Sequence, residues 1–166
     1  DWLLKIPNLP ADDVPVGKDE TGNKEIKKVG SIPKFSFTPK SHDELALSLD
    51  LYDTKHAAKI AGTRAYFLKN ELVLLEQGVL QLAMEFMIGE GFTPMTVPCM
   101  VNKEALWGTG YFPWGIEDHY TTQDGQGLIG TSEVSLTAYH QDEVLNEKDL
   151  PIKMVGISPC FRREVG

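Results

Sequence analysis

Cysteine is scarce in this sequence. Only Cys99 and Cys160 occur among 166 residues, and neither belongs to a CxxC pair or to a cysteine–histidine cluster. The sequence therefore gives no signal for a cysteine-bound metal or a disulfide framework. Both lie in apolar surroundings, "VPCMV" and "SPCF", so we expect two small buried hydrophobic side chains in a reducing compartment rather than a disulfide.

Long apolar runs and an excess of positive charge are also missing. No unbroken apolar run approaches the roughly 20 residues that cross a membrane. The first ten residues, "DWLLKIPNLP", lack the basic and apolar regions of a signal peptide. A net charge of −8 argues against a strongly basic protein that coats nucleic acid, although it leaves room for a local basic site.

Several well-known catalytic and nucleotide-binding patterns are absent. The stretch "WGTGYFP" is rich in glycine but matches neither GxGxxG nor GxxxxGK[ST], which disfavours a Rossmann or P-loop nucleotide site. The four histidines have no metal-ligand spacing, and no Ser-His-Asp arrangement is supported. We therefore interpret the histidines as surface or capping residues.

The residues that are present predict about one globular domain with an irregular start. Residues 1–40 contain dense proline and glycine and are predicted to be an extended linker. Residues 41–166 carry helix and strand patterns. A capping box, Ser41 with Glu44, opens a first helix, and a second short helix ends at Gly62. The strongest helical period runs over about 70–90, with Asn70 as N-cap and Gly91 as stop.

Strand signals dominate the second half of the chain. "FTPMTVPCMV" predicts an edge or interrupted strand, because Pro94 and Pro98 cannot donate to a ladder. A hairpin is predicted around Asp124 and Gly125. A helix follows over "TSEVSLTAYHQDEVL", and "LPIKMVGISPCFRRE" is predicted as a final strand.

Two short motifs carry possible chemistry. In "GTSEV", the residues Thr131, Ser132 and Glu133 could simply cap a helix, or they could hold an ammonium group at a strand end. In "FRRE", Arg162 and Glu164 would share one face of a strand, with Arg163 on the other. The pair could be a cross-strand salt bridge, or Arg162 could bind a carboxylate or phosphate while Glu164 accepts from an exocyclic amine.

The order of segments resembles the catalytic domain of seryl-tRNA synthetases, which are class II aminoacyl-tRNA synthetases. The resemblance rests on "IPNLP", "VPVGKDETGN", "PKFSFTPKSHDELALSLDL", "GTRAYFLKNELVLLE", "FTPMTVPCMVNKEALWGTGYFP", "LIGTSEVSLTAYH" and "ISPCFRRE". It implies an α+β fold, an antiparallel sheet flanked by helices. It also implies that 1–40 is a linker after a tRNA-binding arm and that 41–166 is the first, incomplete part of the catalytic domain.

The resemblance also implies roles for particular residues. Arg162 would contact the ATP α-phosphate and the serine carboxylate, and would be the catalytic residue. Glu164 would contact the adenine amine, with Arg163 also at the ATP site. Serine would be held by Thr131, Ser132, Glu133 and Arg162. Ser132 stands where the family usually has alanine, and Arg163 where serine is common.

The implied activity is activation of L-serine by ATP, followed by transfer of serine to tRNA(Ser). Mg²⁺ is expected to accompany ATP, with its ligands beyond residue 166 and none in this chain. We further expect a cytoplasmic homodimer formed through residues 70–98, no membrane partner, and no activity of this part alone. Two alternatives stay open: a prolyl- or threonyl-type synthetase, and a non-catalytic synthetase-like protein that dimerises or binds a partner.

Overall fold

A computed structural model describes residues 2–163 of the chain. It divides into two compact units, Ile6–Leu72 and the combination of Asp1–Lys5 with Val73–Gly166. Within residues 2–40 the structure has two short 3-10 helices, Leu3–Lys5 and Glu20–Gly22, and neither an α-helix nor a strand. The irregular conformation predicted for this stretch is therefore confirmed, while its role as a linker stays a prediction.

The first unit contains helices α1 (His42–Ser48) and α2 (Thr54–Ala61) and strands β1 (Tyr52–Asp53) and β2 (Phe67–Leu68). The two strands pair antiparallel. The predicted capping box is present, since the Ser41 backbone N–H donates to a Glu44 carboxylate oxygen at 2.9 Å. Helix α2 ends at Gly62, as predicted, where φ is 86°.

Helix α2 begins with an acidic cap that the sequence analysis did not single out. The Asp53 carboxylate accepts from the His56 backbone N–H at 2.9 Å and also contacts the His56 ring nitrogen Nδ1 at 2.7 Å. These two hydrogen bonds, the backbone one first, lower the pKa of Asp53 below its ordinary value of 3.8.

The long predicted helix is α3 (Glu71–Gly89), and Gly91 follows it with φ 83°. Asn70 is not the predicted N-cap. Its φ is 50° rather than extended, and its side-chain amide donates to the Asp50 carbonyl at 3.0 Å. By length and composition α3 could cross a membrane, with a mean hydropathy of 1.4. A single helix of this kind is weak grounds for such an assignment, because helices that pack against protein pass the same test.

The second unit is built on short strands around a small core. Strand β3 (Thr93–Met95) pairs parallel with β6 (Met154–Gly156), and β4 (Met100–Val101) pairs antiparallel with β5 (Gly127–Leu128). Helices α4 (Lys103–Gly108) and α5 (Ser132–Thr137) contact each other. The core consists of Val97, Val101, Ala105, Leu106, Phe112, Ile129 and Val134. The interrupted strand predicted around Pro94 is thus confirmed as β3 and β4.

Two predicted elements are shorter in the structure. The predicted 131–145 helix ends at Thr137, continues as a 3-10 turn over Ala138–His140, and is followed by Asp142 with φ 62°. The predicted final strand covers only Met154–Gly156, and residues 157–163 are not strand. Pro159 explains the early end of the strand, because it cannot donate to a ladder.

The predicted hairpin is present in a loose form. Thr121 and Gly127 form an isolated antiparallel bridge, and the Gly125 backbone N–H donates to the Thr122 carbonyl at 3.0 Å, with Gly125 at φ 82°. Both cysteines are free, as predicted. Cys99 is half-buried, but Cys160 is exposed, so the prediction that both are buried is wrong for Cys160.

Candidate active site

The first predicted motif lies where the core strand β5 leads into helix α5. Thr131 is the N-cap, in extended conformation with φ −167°, and its hydroxyl oxygen accepts from the Glu133 backbone N–H at 3.3 Å. The capping interpretation of this motif is therefore confirmed. Capping leaves the Glu133 carboxylate and the outer face of Thr131 available for a second role.

Ser132 has a different partner. Its hydroxyl donates to the Gly156 carbonyl on β6 at 3.1 Å. This bond joins the start of α5 to the strand that precedes the "FRRE" motif, although the two residues are distant in sequence. The extra hydroxyl at Ser132 thus ties α5 to the β6 strand.

Arg162 lies directly beside this motif. Its Nε donates to the Gly130 carbonyl at 3.1 Å, and the backbone N–H of the preceding Phe161 donates to the Ile129 carbonyl at 2.9 Å. Ion pairs described within residues 2–163 do not include Arg162. Because the described bond uses only Nε, the two terminal guanidinium nitrogens can offer a donor fork to an anion.

Arg163 turns to another part of the chain. Its backbone N–H donates to the Asp118 carbonyl at 3.0 Å, and its Nη1 donates to the Glu117 carbonyl at 3.2 Å. The two neighbouring arginines therefore contact different segments, although residues 162 and 163 do not lie on the strand from which their opposite faces were predicted. Glu164, the third member of the predicted motif, lies outside the described residues.

The structure brings Thr131 and Glu133 to a cavity of about 210 Å³, which they line together with Thr109, Gly110, Tyr111 and Val134. The sequence analysis used the "WGTGYFP" stretch to disfavour a Rossmann or P-loop site and as part of the resemblance, but it assigned Tyr111 no role. An ideal Cβ placed on Gly130 would lie 2.4 Å from the Tyr111 hydroxyl oxygen, so this phenol packs directly on the residue that holds Arg162. A glycine-rich stretch with an aromatic residue was the available signal.

Among the described residues 2–163, no group of three His, Cys, Asp or Glu side chains could hold a metal ion. His56 and His140 instead pair with nearby carboxylates, Asp53 and Glu143, each at 2.7 Å. The "GTSEV" and "FRRE" segments bring together a guanidinium, a hydroxyl and a carboxylate, groups that can bind an anion and an ammonium group.

Comparison with known proteins places these features in a family context. A family model described as tRNA synthetase class II core domain (G, H, P, S and T) matches residues 117–166. The serine–tRNA ligase of Treponema denticola is 42% identical over 99% of this chain, and that of Dictyoglomus turgidum is 45% identical over 99%. The chain spans 39% of the length of both relatives.

Solved structures agree with the sequence matches. The seryl-tRNA synthetase of Pyrococcus horikoshii, complexed with ATP, superposes with a TM-score of 0.91 at 35% identity, over 98% of this chain and 41% of that one. The cytoplasmic serine–tRNA ligase of Naegleria fowleri, in complex with AMP, superposes with a TM-score of 0.88 at 30% identity. The match covers 99% of this chain and 40% of that one. These matches confirm the predicted α+β fold and the predicted resemblance along the whole chain.

Proposed function

Because this chain is related in sequence and in fold to the catalytic domain of seryl-tRNA synthetases, we propose that the whole protein is a serine–tRNA ligase. It activates L-serine with ATP to form seryl-adenylate, and then transfers serine to tRNA(Ser). The observation that carries the proposal is the position of Arg162, bonded through Nε to Gly130, the residue that directly precedes Thr131. This placement lies in a fold shared with a synthetase complexed with ATP.

In the proposed first step, the serine carboxylate attacks the α-phosphorus of ATP and pyrophosphate leaves. Two anions must approach each other, and negative charge builds on the phosphoryl oxygens. A guanidinium that bridges both groups lowers their repulsion and holds them in line. The Nε bond to Gly130 fixes the Arg162 side chain while leaving its terminal nitrogens for this contact. No covalent enzyme intermediate is needed.

Serine would be held by Thr131, Ser132, Glu133 and Arg162. The Glu133 carboxylate can pair with the serine ammonium group, and Thr131 lies on the same cavity. Ser132 would contribute by fixing the start of α5 through Gly156. Glu164 is proposed to accept from the adenine amine. Arg163 is proposed to belong to the ATP site, next to Arg162.

Mg²⁺ is proposed to accompany ATP, where it would supply positive charge beside the phosphates. The described residues do not fit a magnesium site, since they contain no cluster of three candidate ligands. Because this chain spans 39% of the length of its relatives, the Mg²⁺ ligands are proposed to lie beyond residue 166. This part of the protein is proposed to be inactive alone, and residues 1–40 to link the catalytic domain of 41–166 to a preceding tRNA-binding arm.

The whole protein is proposed to be a cytoplasmic homodimer that associates through residues 70–98. Support comes from α3, whose apolar side chains stay exposed: Leu74 is 73% exposed, Leu82 67% and Phe86 65%. A helix that is apolar over most of its surface requires a partner to cover it. A second copy would supply that cover.

Serine is favoured over threonine or proline because the similar proteins are serine–tRNA ligases. The test is amino-acid-dependent ATP–pyrophosphate exchange by the protein at its natural full length, with serine, threonine, proline and alanine compared. Exchange with serine alone supports the proposal. Exchange with another amino acid assigns a sister synthetase, and no exchange with any of the four supports the non-catalytic alternative.

A further inference from the structure

Residues 115–121, here named the clamp loop, contact the "FRRE" motif without taking part in the predicted chemistry. We propose that the clamp loop positions Arg162 for the α-phosphate, with Arg163 as the residue that it holds and His119 as the residue that fixes its shape. This inference rests on the proposed function, because Arg162 needs a set position only if it binds the reacting groups. His119 is then a positioning residue, and Arg163, already proposed for the ATP site, is the residue through which the clamp loop acts.

The clamp loop holds Arg163 through two hydrogen bonds. Two consecutive carbonyls of the clamp loop, those of Glu117 and Asp118, accept from this one residue. Asp118 accepts from the backbone N–H at 3.0 Å and Glu117 from Nη1 at 3.2 Å. One bond through the main chain and one through the side chain fix both the place and the rotation of residue 163. Since Arg162 is covalently attached to it, the direction of the Arg162 side chain is constrained as well.

Hydrogen bonds on the preceding residues complete the constraint. Phe161 donates its backbone N–H to Ile129 at 2.9 Å, and Arg162 donates Nε to Gly130 at 3.1 Å. Residues 161–163 therefore donate four hydrogen bonds to carbonyls of two other segments, 117–118 and 129–130. This stretch is not a regular strand, so the clamp loop replaces part of the rigidity that a strand would supply.

His119 fixes the clamp loop from inside. Its Nδ1 lies 2.6 Å from the Ile116 carbonyl, and its Nε2 lies 3.1 Å from the Thr121 hydroxyl. A carbonyl can only accept, so Nδ1 donates to Ile116, while Nε2 and the Thr121 hydroxyl share the second hydrogen bond. The ring also stands edge-on against Phe112 of the core, with centroids 4.6 Å apart. The imidazole thus bridges residues on either side of Glu117 and Asp118.

Backbone hydrogen bonds within and beside the clamp loop restrict its conformation further. The Asp118 N–H donates to Gly115 at 3.1 Å, and the Gly115 N–H donates to Tyr111 at 2.8 Å. Gly115 also allows the Tyr111 ring to lie close, since an ideal Cβ there would be 2.6 Å from its Cε1. Loss of the His119 bridges would release the Glu117 and Asp118 carbonyls, and a shift of the reacting geometry by a fraction of an ångström slows catalysis.

The test uses pyrophosphate exchange by the full-length protein with serine. We expect Arg163→Ala and His119→Leu each to lower kcat/KM for ATP by about three- to tenfold, the worth of one ordinary hydrogen bond. Because both residues act through the same contact between the clamp loop and residue 163, we expect the kcat/KM of the double variant to be no lower than that of the worse single variant. We expect His119→Asn to lose much less kcat/KM than His119→Leu, because the asparagine amide keeps a donor at the place of Nδ1.

His140→Leu is the matched control. His140 also makes a 2.7 Å contact through Nδ1, to Glu143, but on the 3-10 turn Ala138–His140, which has no described hydrogen bond to Arg162 or Arg163. It is expected to keep the wild-type kcat/KM. Thermal melting verifies that each variant is folded. If His119→Leu does not fold, Thr121→Val takes its place in the double-variant comparison, because it removes only the hydroxyl that faces Nε2.

The outcomes separate this inference from the proposed function. The inference is overturned if Arg163→Ala and His119→Leu both keep the wild-type kcat/KM. It is also overturned if their losses add in the double variant, or if His119→Asn is as impaired as His119→Leu. In each of these cases the unsubstituted protein still exchanges with serine, and the proposed function stands. Absence of exchange in the unsubstituted protein overturns the proposed function and this inference together.

Discussion

Gly130 is the residue at which packing and the candidate active site meet, and Gly130→Ala tests the described geometry. Its carbonyl accepts from Arg162, and its Cα faces the ring of Tyr111. A Cβ at this position would lie 2.4 Å from the Tyr111 hydroxyl oxygen and 3.0 Å from Cζ, about 1 Å inside ordinary contact. The opposite edge of the Tyr111 ring lies close to Gly115, so the ring has little room to move away from an added Cβ.

We expect this overpacking to lower the free energy of unfolding by about 2 kcal/mol, within the usual range of roughly 1–3 kcal/mol. The assay is urea unfolding of the full-length protein followed by tryptophan fluorescence, since Trp107 packs edge-on against Phe112 in the same core. Pyrophosphate exchange should fall in parallel, because the carbonyl that holds Arg162 moves with residue 130.

Two further variants make the reasoning refutable. Tyr111→Phe removes the hydroxyl oxygen, so the combination with Gly130→Ala should recover about half of the lost stability. Gly108→Ala is the matched control, because a Cβ there meets no atom within 4 Å and φ is not positive. It should be neutral or slightly stabilising. A Gly130→Ala variant within about 0.5 kcal/mol of wild type, or no recovery in the double variant, would contradict the described packing of Tyr111.

The remaining predictions concern one residue each. Arg162→Ala should raise the barrier of serine activation by on the order of 3 kcal/mol or more, or about a hundredfold in kcat/KM, and a near-normal exchange rate would sink the assignment of Arg162. Asp53→Ala should lower the urea midpoint at neutral pH. The folded-state pKa of Asp53 is lowered from 3.8, chiefly by the His56 backbone N–H, so its stabilisation is present above pH 3.8 and is lost as the pH falls through the folded-state value. The difference in urea midpoint between wild type and Asp53→Ala should therefore narrow only below pH 3.8. A midpoint difference that does not change with pH would contradict stabilisation of α2 by the ionised Asp53 carboxylate.

Local patterns in the sequence predicted the helices well. The capping box at Ser41 and Glu44 and the stop at Gly62 involve residues within one turn of each other, so their consequences are decided locally. The apolar period of α3 is equally local. Predictions were weaker where a segment ends without glycine, as at Thr137, where α5 gives way to a 3-10 turn.

The sequence analysis named candidate site residues but could not give their contacts. The resemblance named Thr131, Glu133 and Arg162, and the similarity to solved synthetases confirmed the family context. The sequence analysis missed Tyr111, because its packing against Gly130 joins segments 19 positions apart. It also missed His119, whose hydrogen-bond partners, Ile116 and Thr121, are near in sequence but follow no recognised motif. The prediction of a strand through "FRRE" was also wrong within residues 157–163, since Pro159 interrupts the ladder.

The sequence by itself determined where most helices form and which residue types could bind an anion or an ammonium group, because capping, periodicity and side-chain chemistry depend on neighbours along the chain. Only the tertiary structure decided that Arg162 lies against Gly130 while Arg163 bonds to Glu117 and Asp118. The physical reason is that these partners are 32 and about 46 positions away, and such contacts are fixed by the packing of α4 and α5 around Leu106 and Ile129.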